Sequence, residues 1–541
     1  MPATRITVAS NAKQSQKAPT IIPASASTDP AAPSSIRALV FKTAQTKLRL
    51  KKPTRVFVAR TGKELLSEED WKVNIKDDVV LLISAGEDYV GAKKVSNVHD
   101  CAVELLASKA PVESLSVTQL TATAHTLPGI VHGVGQPDLH PGTKFPIGAV
   151  FVSKKWIHPP LIGGDIGCGM AWYKTTLSRG QVDGDKGKKV AEKLRGLEGA
   201  WRTQAHREAW LVDDQENSYS AGKQWDSALG TIGAGNHFAE IQVVEESSLS
   251  DANTSLHQDD VVLLVHSGSR GYGGSILKKY TTETRTSFEE GSADAIEYMK
   301  EHDKACWWAK ANRDLIALRF LSCLEPGNEN WVLGRLDIDD IGEGVAESIA
   351  LAKSALQKRK VVDIWHNNVE RAAWPPSAPF PVGEERSILD DEFLQRFAYI
   401  HRKGAAPTYN PETQLPLSLL PLPGSRGTPT LILQPTFSAT TFWGLKNGLS
   451  LAHGAGRAMS RAKALSTLAQ KYKGQNILEP RSGDIEGTWV ICDEKDLVFE
   501  EAPDAYKDVE AVGQDLVDAG AANVVGWCRA RISYKVRNET R

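Results

Sequence analysis

Four apolar, β-rich runs in this chain each stop at a histidine followed by small or polar residues: VVLLV at His266, VVDIW at His366, FAYI at His401 and LSLA at His453. A strand that gives way to a loop at a polar residue presents that side chain at the edge of a rigid sheet, where chemistry tends to sit. Between residues 94 and 541 such runs alternate with Gly-rich turns and helical stretches, without a fixed repeat. The pattern predicts one large α/β or α+β domain, taken here as α+β, whose loops gather several histidines.

The N-terminal part reads differently. Residues 1–35 are rich in Ala, Ser, Thr and Pro and hold no aromatic residue. They bury too little apolar surface to offset the entropy of ordering, and are predicted to be a disordered tail. Arg5, Lys13 and Lys17 precede the first acid, Asp29, which leaves an organelle transit peptide as a rival reading, although the Arg content is thin. Over residues 36–93, RALVFKT, TRVFVART and VVLLISAGEDYV read as short strands and LLSEEDW as a brief helix, the outline of a small β-grasp ubiquitin-like domain. LRLKKPTRVFV and DDVVLLISAGEDYVG resemble doublecortin-type ubiquitin-like domains. From Lys42 to Lys63 there are eight Lys/Arg and no acid, so this stretch either docks on an acidic protein partner or is a solvated strand face.

Composition sets the outer limits. Lys+Arg 64 against Asp+Glu 66 leaves a formal charge of -2, so any polyanion site must be local. The cysteines at 101, 168, 306, 323, 492 and 528 form no CxxC pair, which argues against a disulfide scaffold and for a reducing compartment. No run reaches the roughly 18 apolar residues of a membrane span, and no apolar secretory core opens the chain. The expectation is a soluble, membrane-free protein of the cytoplasm, with nucleus and organelles as alternatives.

The densest chemistry begins at LIGGDIGCGM, where glycines frame Asp165 and Cys168. A carboxylate and a thiolate three residues apart make a metal half-site, although a free Cys alone is more often packing. GTIGAGNHFAEIQ with His237, VHSGSRGYG with His266 and DIWHNNVE with His366 supply three imidazoles on strand-to-loop junctions. Together these five residues can hold one or two divalent ions. Thiolate and imidazole favour zinc, whereas open positions for phosphate oxygens suit manganese or magnesium, and ligand type does not decide between them.

LAHGAGRAMSRAKAL places His453 before a Gly-Ala-Gly turn that is predicted to open a helix, whose free N–H groups would face a phosphate. Arg457 and Arg461, spaced i, i+4, would share a face of that helix and grip phosphate with their planar forks. His453 beside them is a candidate nucleophile toward a nucleotide α-phosphorus, with general acid/base work as the alternative. HRKGAAP, with Arg402 and Lys403, and PGSRGT, with Ser425, read either as further phosphate-facing loops or as ordinary turns.

PDLHPGTKFPIGAV, GGDIGCGM, GTIGAGNHFAEIQ, VHSGSRGYG, AKANRDLI, the HN at 366–367, HRKGA, PGSRGT and HGAGRAMSR occur in the order found in RtcB RNA ligases, and the resemblance covers nearly all of 130–540. It implies a ligase that joins RNA 2′,3′-cyclic phosphate or 3′-phosphate ends to 5′-hydroxyl ends with GTP and two manganese ions, in RNA repair or tRNA splicing, and with an archease-like activator. By that resemblance Asp165, Cys168, His237, His266 and His366 are metal ligands, with Cys168 shared, and His453 takes GMP. Asn236 would touch the nucleotide phosphate, Glu240 would accept from guanine N1–H and N2–H, and Arg457 and Arg461 would hold the RNA end. Two departures stand out: Arg426 occupies the usual Met position of PGSRGT, and RISYKVRNETR replaces a terminal Lys-Gly, leaving Lys535 as the nearest match. The competing readings are a metal-dependent phosphodiesterase or phosphatase that uses no GTP, and a non-catalytic cytoskeletal adaptor.

Overall fold

The computed structural model describes residues 4–13, 16–59, 61–77, 79–89, 101–197, 199–248, 256–282, 286–335, 344–376, 397–410, 413 and 415–536. The chain divides into two compact units, Met1–Val98 and His99–Arg541.

In the first unit the expected disordered tail instead supplies two strands. TRITVAS and KAPTII pair as an antiparallel hairpin, Thr4–Ser10 with Lys17–Ile22, in the register Ile6↔Thr20. Thr4–Ser10 then runs parallel to Val80–Ser84, which pairs with Arg55–Val58. This strand order, hairpin outside and parallel pair inside, is that of a β-grasp fold. RALVFKT, expected as a strand, lies in the helix Ile36–Lys47, capped by Ser35, whose hydroxyl accepts from the Ala38 N–H. Ile36, Val40 and Ala44 fall on its buried face and meet Ile6, Val8, Ile22 and Trp71. A tail poor in apolar residues can therefore fold, because most of the core is provided from residues beyond 35. The boundary expected at 93/94 lies outside the described residues.

The second unit is a mixed α+β body with two main sheets. One has eight strands, in the order Lys360–Trp365, Gly169–Ser178, Asp260–Ser267, Phe238–Ser247, Ala522–Lys535, Thr430–Pro435 and Leu420–Pro423, with Trp489–Cys492 beside Ala522–Lys535. The other has five, running Asn367–Ala373, Phe397–Lys403, Ile147–Ser153, Ile130–His140 and Ala102–Leu105. Residue 366 is the single position between a strand of the first sheet and a strand of the second. The 32-residue helix Ala293–Leu324 packs behind the first sheet, and its buried Arg313 donates to the carbonyls of Gly167 (2.9 Å) and Ser267 (3.1 Å) and pairs with Asp363 (2.7 Å). Three strand ends that carry candidate ligands are thus fixed by one guanidinium. Among the described residues no helix is long and apolar enough to cross a membrane.

Candidate active site

Sheet register assembles the metal donors. His266 pairs with Met170 on one side and Phe238 on the other, so Cys168, His237 and His266 stand at one end of three adjacent strands. His366 joins them because its N–H donates to the Cys168 carbonyl at 2.8 Å. The Cys168 Sγ lies 3.3 Å from the Nε2 atoms of His237, His266 and His366, and Asp165 Oδ2 lies 2.7 Å from His237 Nε2. Donors held at roughly 2.0–2.3 Å by a tetrahedral ion stand about 3.3–3.7 Å apart, so the Cys168–histidine spacings fit ligation, while Asp165 and His237 stand at hydrogen-bond distance. Two overlapping groups, Asp165/Cys168/His237 and Cys168/His266/His366, share the sulfur. The arrangement fits two ions bridged by Cys168.

Protonation states agree with this. Burial drives the imidazoles of His266 and His366 well below the usual histidine range, which keeps them neutral and able to ligate. Burial opposes ionisation of Asp165, but His237 outweighs it and holds the carboxyl below its ordinary value. Burial, aided by Asp165, pushes the Cys168 thiol up, which a cation at the site would reverse. Space is equally specific: a Cβ on Gly268 would lie 2.3 Å from Asp165 Oδ1.

His453 follows the short strand Ser450–Ala452, and its ring centroid is 4.7 Å from that of His366. Its Nδ1–H donates to Asp138 Oδ2 at 2.7 Å, since a carboxylate only accepts. Asp138 is fully buried. The ring is thereby turned so that Nε2 carries the free lone pair, and Gly404, at φ 66°, leaves it room: a Cβ there would meet His453 Cε1 at 2.8 Å. Asp138 was missed in the sequence. PDLH was among the motifs quoted, but nothing local distinguishes its aspartate.

Asp165, Cys168, His266, His366 and His453 line a cavity of about 490 Å³, with His237 and Asp138 behind its wall. It also takes in Asn236, Glu240, Ser425, Lys535, Lys403, Arg457 and Arg461, which are all the remaining predicted site residues except Arg402. A larger groove of about 560 Å³ around Trp210 and Trp307 shares none of them and contains no such donor group. Lys535 Nζ donates to the carbonyls of Gly235 (2.9 Å) and His237 (3.1 Å), which holds the lysine at the cavity wall. Ser425 Oγ donates to the Glu501 carbonyl at 2.7 Å.

Several expectations need correction. Arg402 is fully buried, pairs with Glu370 at 2.6 Å and donates to Ser450 Oγ at 2.8 Å; it is consumed inside the sheet and faces no phosphate. His401, beside it, is equally buried and accepts from the His158 N–H. The helix expected from the Gly-Ala-Gly turn begins only at Arg461, with Ser460 as its cap, because the Ala455 and Ala458 N–H groups go to the carbonyls of Pro423 and Ala505. Arg457 and Arg461 do not share a helix face; they converge through Glu501, at 3.1 and 3.4 Å. Arg426 turns away, donating to the Val498 carbonyl at 2.5 Å. Glu501 is the second residue missed. Burial raises its pKa, but Lys535 and Arg457 outweigh that and keep it below its ordinary value, and Tyr506 O–H also donates to it.

The sequence pattern of the family described as tRNA-splicing ligase RtcB matches residues 119–208, 198–331 and 338–536. The chain belongs to the RtcB family. Among relatives, "RNA-splicing ligase RtcB2" of Escherichia coli is 33% identical over 446 residues, covering 82% of this chain and 98% of the relative. "tRNA-splicing ligase RtcB" of Methanococcus maripaludis is 27% identical, covering 75% of this chain and 88% of its own length. "RNA-splicing ligase RtcB homolog 1" of Entamoeba dispar is 26% identical, covering 76% and 80%. The aligned family region begins at residue 119, so the first unit lies outside it.

Proposed function

We propose that this chain is an RNA ligase that joins 2′,3′-cyclic phosphate or 3′-phosphate ends to 5′-hydroxyl ends, using GTP through a histidine–GMP intermediate. The observation that carries this reading is His453, oriented by Asp138 at 2.7 Å and set beside a five-residue metal-donor group in a cation-lined cavity. His453 Nε2 attacks the α-phosphorus of GTP: an N–P bond forms, the bond to the β-phosphate breaks, and pyrophosphate leaves. An oxygen of the RNA 3′-phosphate then takes the guanylyl group from His453, breaking the N–P bond. Finally the 5′-hydroxyl attacks the activated 3′-phosphorus: a P–O5′ bond forms, the anhydride bond to GMP breaks, the hydroxyl proton passes to solvent, and GMP departs. A cyclic phosphate is first opened by water, whose oxygen bonds to phosphorus as the bond to the 2′-oxygen breaks, leaving a 3′-phosphate and a protonated 2′-hydroxyl.

Asp165, Cys168, His237, His266 and His366 would hold two divalent ions, manganese by family precedent, which supply charge neutralisation at the phosphates and polarise phosphorus. Arg457, Arg461 and Lys403 grip the RNA end, and Asn236, Ser425 and Lys535 the nucleotide. Glu240 accepts from guanine N1–H and N2–H. A phosphatase using the same donor group has no need of a nucleotide-accepting histidine beside it, and a cytoskeletal adaptor has no need of either.

The test is covalent labelling. Protein incubated with GTP radiolabelled at the α-phosphate and with manganese should acquire an acid-labile label, and His453→Ala should lose it while still joining RNA supplied with a pre-activated 3′ end. Label that persists in the variant removes His453 from the reaction and the proposal with it.

A further inference from the structure

Behind Glu240 the floor of the cavity continues into a buried polar chain, Gln242, Trp172 and Thr430, to which the reaction above gives no role. Trp172, Leu264, Glu240 and Ser533 sit opposite one another across four neighbouring strands. Gln242, fully buried, lies two residues along from Glu240. Trp172 Nε1 donates to Gln242 Oε1 at 3.1 Å. An indole N–H can only donate, so the amide has one orientation, with its NH2 turned inward. That NH2 donates to Glu240 Oε2 at 2.9 Å and to Thr430 Oγ1 at 2.9 Å. Ser533 Oγ donates to the other carboxylate oxygen, Glu240 Oε1, at 2.9 Å. Both oxygens of Glu240 therefore receive a hydrogen bond from behind, and each keeps a lone pair for the cavity.

This matters because the two protonation states of a carboxyl present different faces. An ionised carboxylate is acceptor–acceptor and matches guanine N1–H and N2–H. A neutral carboxyl is donor–acceptor and matches adenine N1 and N6–H. Burial raises the Glu240 pKa above the ordinary carboxyl value and so favours the neutral form; the hydrogen bonds from Gln242 and Ser533, with the charges of Lys535 and Arg426, limit that rise. We propose that Gln242 is a positioning residue that fixes Glu240 as an acceptor-only carboxylate and so sets the preference for guanine over adenine nucleotides. The inference rests on the base-reading role given to Glu240 above.

The experiment compares full-length wild type, Gln242→Glu, Gln242→Met and Glu240→Ala. Binding of GTP and ATP is measured by competition against a fluorescent GTP, beside thermal unfolding. Gln242→Glu keeps the acceptor for Trp172 and the side-chain volume but sets a second carboxyl against Glu240, so the two share a proton. The expected result is a fall of about tenfold or more in the GTP-to-ATP affinity ratio, the worth of one hydrogen bond to a charged group, with ATP binding gained. Gln242→Met should lower the ratio in the same direction and also lower the unfolding temperature, since it orphans the Trp172 N–H. A ratio unchanged in both Gln242 variants, or GTP and ATP weakened equally, while Glu240→Ala abolishes the preference, overturns the role of Gln242 alone. A preference intact in Glu240→Ala overturns the base-reading role, and this inference falls with it.

Discussion

Replacing Asp138 by Asn tests the geometry of the nucleophile with almost no change of shape. Asp138 Oδ2 accepts from His453 Nδ1–H at 2.7 Å and from the His453 backbone N–H at 3.4 Å, and its Oδ1 has no hydrogen-bond partner, so an amide placed there is constrained by His453 alone. If the amide nitrogen takes the place of Oδ2, it donates to Nδ1, and the ring proton moves to Nε2, the atom that must attack phosphorus. If the amide oxygen faces Nδ1 instead, the correct tautomer survives, but the charge that stabilises a developing imidazolium is lost. A comparable wrong-tautomer substitution in an acid–His–nucleophile array costs about 10⁴-fold, and the absence of a protonated leaving group on His453 argues for a lower figure, about 10³-fold, or roughly 4 kcal/mol of barrier. The assay is single-turnover guanylylation with α-labelled GTP, read beside bound metal and thermal unfolding. The expected outcome is a loss of about 10³-fold in labelling rate with metal content unchanged. Labelling within tenfold of wild type would show that Asp138 does not set the tautomer, and the orientation argument for His453 would fail.

Two further outcomes follow from other parts of the molecule. Cys168→Ala should remove at least one bound ion per chain and abolish joining, because both donor groups share this sulfur; elemental analysis that finds the same ion content in an active variant would refute the shared-ligand assignment. A chain lacking residues 1–98 should remain folded and ligate a generic RNA pair within about tenfold of full length, roughly 1.4 kcal/mol in barrier terms, since the family region starts beyond this unit; a deficit that is large at low salt and shrinks steeply as salt rises would instead place its exposed Lys42, Lys47, Arg49, Lys51 and Lys52 in RNA binding rather than at an acidic partner.

How much of this could be read in the sequence depended on whether the deciding contact was local. The candidate metal donors were legible because each lies at or beside a strand end and is flanked by Gly or Asn, whereas the register that brings those ends together, His266 opposite Met170 and Phe238, was not. His401 and Arg402 carry the same signature, yet their strand is covered on both faces, and Glu370, 32 positions away, claims the arginine. Asp138 pairs with a residue 315 positions distant, and no window around PDLH contains that information. The late helix start at Arg461 was visible in principle: Ser460 caps it, and its hydroxyl accepts from the Lys463 N–H. A glycine turn beside a histidine outweighed that weaker signal. The N-terminal hairpin was lost because composition averaged over 35 residues hid two short strands whose partner, Val80–Ser84, lies some distance along the chain.

The charge of the cavity explains how a chain with a formal charge of -2 can serve a polyanion. Arg457, Arg461 and Lys535 approach the single carboxylate of Glu501 at 3.1, 3.4 and 3.9 Å, and Glu501 is itself almost fully buried. Around Glu501 three cations meet one anion, and although the carboxylate of Glu240 also acts on Lys535, the two arginines keep this side of the cavity positive. Without Glu501 the three cations would repel one another and spread toward water. With it, Arg461, whose side chain is 51% exposed, is the member held most loosely against solvent, while Arg457, at 13%, is fixed by further hydrogen bonds to the carbonyls of Met459 and Glu500. A phosphate arriving at this cluster therefore meets one rigid guanidinium and one that is free to turn toward it, so the positive potential needed for RNA is concentrated where the ends must be joined instead of being spread over the surface.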